Sequence, residues 1–111
     1  MIDIPAGREL DELIATKLMG WEQGESWGSA YWVDSDGCIR FEIKKFKPSL
    51  YWEDMRLVVE EMHGRRGYDF TLEWYGNRYI SWFGSMQSVG ADTAPHAICL
   101  AALSALEGES E

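Results

Sequence analysis

The chain has few cysteines, few histidines and little basic charge, and each shortage narrows the function. Cys38 and Cys99 are its two cysteines. They stand far apart with no CxxC pair, so there is no disulfide framework and no cysteine zinc motif. Both read as reduced, buried thiols of a cytoplasmic protein. His63 and His96 are the two histidines. Neither stands at a ligand spacing from a cysteine or carboxylate, and "DSDG" at 34–37 is too short for a calcium loop. No metal and no cofactor is expected. Ten Lys and Arg face nineteen Asp and Glu, a net charge of -9. That balance argues against a DNA or RNA duplex partner and against an anionic membrane surface. It leaves room for one small anion held by local donors.

Other absences concern chemistry and targeting. GxSxG, HExxH and P-loop patterns do not occur. The acidic pairs Asp11–Glu12 and Glu60–Glu61 read as solvated helix faces. Cys99 follows His96 by three residues on one helix face, a spacing that permits contact. Its neighbours Ile98 and Leu100 make it a core residue rather than a nucleophile. The catalytic set is therefore empty, and the protein reads as a non-enzyme. No segment has the length of a membrane span, and "MIDIPAGRELDEL" lacks a basic-then-apolar signal pattern.

What is present fits one domain over 1–111, with 107–111 a frayed tail. Hydrophobic residues make up 46%, enough for a core. Six Trp and five Tyr exceed what the core of so short a chain needs.

Residues 7–20 predict a helix, with Leu10, Leu13, Ile14, Leu18 and Trp21 on one face and Gly20 as its stop. Residues 22–29 read as a loop. "SAYWVDSDGCIRFEIKKF" predicts a hairpin with its turn at Asp34–Gly37 and with Ile39, Phe41 and Ile43 on a buried face. Ser49 predicts the N-cap of a helix over roughly 50–63, with an apolar stripe of Trp52, Met55, Val58, Val59 and Met62. Arg65 and Arg66 fall just past its end. "YDFTLEWYGNRYISWFGSM" predicts a second hairpin turning at Gly76–Asn77. "QSVGADT" reads as a loop.

The last helix, about 94–106, is capped by Asp92 or Thr93. It has Pro95 in its first turn and a stripe of Ile98, Cys99, Ala102, Leu103 and Leu106. Ala97, Ala101, Ala102 and Ala105 allow close packing on a neighbour. The class is α+β, in the order α-β-β-α-β-β-α, with one mainly antiparallel sheet of about four strands packed with helices.

Two features point to binding. Trp74, Tyr75, Tyr79, Trp82 and Phe83 crowd the second hairpin, with Asn77 and Arg78 at its tip. A second apolar layer or a subunit interface is the plainer reading; the alternative is an exposed ring there that stacks a flat ligand. "ADTAPHA" is a helix start whose free amides favour an anion, although Asp92 already supplies a negative cap. The open sheet face and the alanine-rich last helix both favour a homo-oligomer, a dimer or higher.

Three stretches together carry a family resemblance. "AGRELDELIATKLMGW" at 6–21, "KPS" at 47–49 followed by "VVEEM" at 58–62, and "ADTAPHAICLAAL" at 91–103 resemble the phage αβα-sandwich domain family. Its members are short proteins of phages and prophages. The chain is also similar to the phage anti-Thoeris sponge proteins. That resemblance implies an anti-defence protein of the host bacterial cytoplasm that binds and sequesters a small nucleotide signal without cleaving it. The signal would be of the cyclic ADP-ribose type or a cyclic oligonucleotide, and the pockets would lie at subunit interfaces of an oligomer. Tyr68, Trp74, Asn77 and Arg78 would then serve base and ribose. Arg40, Arg65, Arg66 and the Asp92–Thr93 region would meet phosphates. The alternative is an acidic protein–protein interaction module that inhibits a host protein.

Overall fold

The structure is a computed structural model and describes residues 4–109. Helix α3 (Ala94–Glu109) organises it. From Ala94 to Ala105 only His96 and Ser104 are even half-exposed. A helix that is apolar all round belongs between layers. Here a sheet lies against one side of α3, and two other helical segments lie against the other. Ala97, Ala101, Ala102 and Ala105 are all buried within the chain. The alanine-rich surface is therefore consumed by the protein's own packing. α3 runs on to Glu109, three residues beyond the expected end, and 110–111 lie outside the described residues.

Helix α1 (Arg8–Leu13) continues into a π-helical turn, Ile14–Leu18. Leu10, Ile14 and Leu18 are buried as the periodicity predicted, and Ala15 joins them. Gly20 adopts φ +72°, and the Trp21 amide donates back to the Ala15 carbonyl at 2.9 Å. That is a glycine stop of the expected kind.

The first sheet has the order β1-β2-β3 and is antiparallel: β1 (Glu22–Ser26), β2 (Ser29–Val33) and β3 (Ile39–Glu42). β1 was expected to be loop. Its residues are polar throughout, so no alternation marked it as an edge strand. The Asp34–Gly37 turn forms as predicted, with Asp34 Oδ1 accepting the amides of Asp36 and Cys38. The register shifts between Trp32 and Val33, and β3 gives way to a 3-10 turn at Ile43–Lys45. The expected buried face therefore breaks: Ile39 is 55% exposed, while Phe41 and Ile43 are half-buried. Cys38 is exposed at the turn, not buried. Phe41 packs with Trp21 and Phe46 in an aromatic cluster, at centroid distances of 5.0–5.9 Å.

Helix α2 (Trp52–Glu60) starts later than predicted and also ends in a π turn, Glu61–Arg65. Ser49 is not its cap. The Ser49 hydroxyl accepts the Gly7 amide at 2.9 Å, and its own amide donates to Asp11. These bonds to the start of α1 take it away from the helix that follows. Met55, Val58 and Met62 are buried, but Trp52 is 57% exposed.

The second sheet has the order β4-β5-β6: β4 (Phe70–Tyr75), β5 (Arg78–Phe83) and β6 (Val89–Ala91). β6 lies in the expected loop and is too short to show a period. Among the described residues there are therefore two three-stranded antiparallel sheets in place of one sheet of about four strands. The two hairpins do not pair with each other; each gains its own third strand. Ser81, Phe83, Val89 and Ala91 face α3 and are buried. The opposite face carries Thr71, Glu73, Tyr75, Ile80 and Trp82. Residues of both layers join one hydrophobic cluster built around α3.

Candidate functional site

α1 and the first sheet do not close on each other. They enclose a cleft of about 580 Å³. Arg8, Asp11 and Glu12 line it from α1, and Gln23, Gly28, Ser29, Ala30 and Trp32 from the β1–β2 hairpin. Glu42, Ile43, Lys44, Phe46, Lys47 and Leu50 complete it. Its size lies within the range of small-molecule sites.

Two carboxylates hold the 47–50 segment in place. Asp11 Oδ1 accepts the Ser49 amide at 2.9 Å, and Asp54 Oδ2 accepts the Lys47 amide at 2.9 Å. Burial pushes the Asp11 carboxyl above its ordinary value, against the opposing effect of its bonds to Ser49. Pro48 and Ser49 are buried beneath this turn, so Lys47 and Leu50 are presented to the cleft from a fixed backbone.

The cleft mixes apolar side chains with charge. Trp32 and Phe46 are among its lining residues and are almost wholly buried. Arg8 pairs with Glu12 at 3.0 Å. Glu42 receives both Lys44 and Lys45 at 3.3 Å, and hydrogen bonds from Lys45 and then Lys44 hold its carboxyl below the usual value. Ion pairs of this kind, with the cation largely exposed, contribute little to stability. Lys47 differs. Its ammonium lies 5.9 Å from the Tyr51 ring centroid, and among the described residues no carboxylate approaches it within ion-pair distance.

The residues expected at a site do not line this cleft; they fall in three places. Arg40 lies in β3 and pairs with Asp34 at 2.8 Å. Arg65, Arg66 and Tyr68 lie where α2 passes to β4, with Arg65 3.4 Å from Glu61. Trp74, Asn77, Arg78, Asp92 and Thr93 do gather, at the β4–β5 turn and the start of α3. There Arg78 donates to the Gly90 carbonyl at 3.2 Å and lies 3.9 Å from Asp92. Trp74 meets the Tyr79 edge at 4.7 Å. The Thr93 hydroxyl accepts the His96 amide at 3.3 Å, so Thr93 is the helix cap.

The cleft cations have a sequence signal of their own. Lys44, Lys45 and Lys47 are three of only ten basic residues and lie within four positions. Cys99 is fully buried, and desolvation, with the nearby Asp11 charge behind it, pushes its thiol well above the ordinary value. His96 does not reach it: Nε2 donates to the Ile4 carbonyl at 2.7 Å. Among the described residues no three His, Cys, Asp or Glu side chains assemble as a metal site. No helix among them is long and apolar enough to cross a membrane.

Over residues 12–103 the chain matches the phage ABA sandwich domain family, and it belongs to that family. No curated protein and no solved structure matches it.

Proposed function

We propose that this phage-family protein is a non-catalytic binder that sequesters a small nucleotide-type ligand, in the cytoplasm of the host bacterium. The ligand class is a cyclic ADP-ribose-type or cyclic oligonucleotide signal, and its removal blunts host defence. One observation carries the reading: the cleft brings Trp32 and Phe46 together with Lys47, a cation that feels the Asp11 charge but has no carboxylate within ion-pair distance among the described residues. A ligand with a flat ring and a phosphate satisfies both. The net charge of -9 opposes any anion at long range, so the local cations must win at contact. Calorimetry and thermal shift with cyclic ADP-ribose isomers and with cyclic di- and trinucleotides test it. Binding that Lys47→Glu abolishes supports the reading; no binding by any of them refutes it.

A second reading, an acidic module that docks on a basic host protein, is favoured by exposed Leu50, Tyr51 and Trp52 in sequence. A pull-down from host lysate that returns nothing at modest salt would count against it. The protein would self-associate, as a dimer or higher, through the open face of the second sheet, and light scattering reads this directly.

A further inference from the structure

Trp27 occupies the tip of the β1–β2 hairpin, in the two-residue connection between paired Ser26 and Ser29. It is 97% exposed, so it contributes almost nothing to the core. Its backbone is also unfavourable, with φ +54°, followed by Gly28 at φ +76°. A two-residue hairpin turn with both central φ angles positive is the type I′ turn, which favours Asn-Gly or Asp-Gly. Trp27 is the one non-glycine residue with positive φ among those described. A large side chain held in a strained conformation with no packing in return points to a role outside folding.

Its position says what that role is. Gly28, Ser29 and Ala30, the next three residues, line the cleft. Trp27 itself does not line the cleft, but its backbone leads directly into residues that do, so the exposed indole is tethered beside a cleft whose lining includes Lys44 and Lys47. We propose that Trp27 is the stacking residue of the cleft: it covers the flat ring of the ligand while Lys44 and Lys47 meet its anionic part. The inference rests on the cleft being the binding site. It adds the residue that covers the ring, and with it a dependence of affinity on an aromatic side chain at position 27.

The test uses the full chain, with cyclic ADP-ribose and cyclic di-AMP as probes and calorimetry as the readout. Trp27→Asn relieves the turn and should raise the melting temperature, yet weaken binding by at least about five-fold, the lower end of base–aromatic stacking. Trp27→Phe keeps a ring and should retain most of the affinity. A purely structural role would make stability and binding move together. If Lys47→Glu abolishes binding and Trp27→Asn leaves it unchanged, the stacking role is wrong and the cleft stands. If neither these probes nor any other cyclic ADP-ribose isomer or cyclic di- or trinucleotide binds the wild type, the cleft reading falls and the stacking role with it.

Discussion

The Asp11 carboxylate accepts the Ser49 amide at 2.9 Å across 38 positions of sequence. That bond joins α1 to the turn carrying Lys47, and so ties together two of the segments that line the cleft. Asp11→Ala would leave a buried amide unpaired, at a cost of about 1–3 kcal/mol. Asp11→Asn keeps an acceptor and loses the buried charge. Because burial raises the Asp11 pKa, the folded protein holds that proton more tightly than the unfolded chain. This contribution to stability is full below the ordinary value of 3.8 and is lost as pH rises through the raised folded value. Asp11→Asn should therefore match or exceed wild-type stability at pH 7, and any advantage should vanish in acid. Urea melts at both pH values check it.

The two thiols should behave oppositely. Cys38 is exposed, whereas Cys99 is buried with its thiolate disfavoured. A thiol reagent such as Ellman's should titrate one group in the native protein and the second only in denaturant. Fast native reaction of both would show that α3 is not the packed central helix described here.

Along α3, added volume should be penalised. Ala102 is fully buried where the helix passes between layers, so Ala102→Leu should lower stability by roughly 1–3 kcal/mol. Thr93→Ala removes the cap and should cost about 1 kcal/mol. With binding in the cleft, it should leave ligand affinity unchanged. Chemical denaturation and calorimetry on the same samples separate the two effects.

Local periodicity made part of this architecture legible. The Leu10–Ile14–Leu18 face, the turns at Asp34–Gly37 and Gly76–Asn77, and the Ile98–Cys99–Ala102 stripe all follow from patterns within a few residues. What stayed hidden has no local signature. β1 is polar throughout, β6 has three residues, and Ser49 answers to Gly7 and Asp11 rather than to the helix beside it. The cleft is hidden for the same reason. Its walls come from α1, a strand read as loop, and the segment around Lys44–Lys47, which only the fold brings together. The aromatic hairpin is conspicuous in the sequence because its residues are adjacent there. In the fold Trp74 and Tyr79 pack on each other.

Amide chemical-shift mapping with cyclic ADP-ribose tests the central claim most directly. The account predicts that the largest shifts fall on Arg8, Gln23, Gly28, Ala30, Lys44 and Lys47, with Trp74, Asn77, Arg78 and Thr93 unmoved. Shifts centred on that second group, or none at saturating ligand, would contradict it.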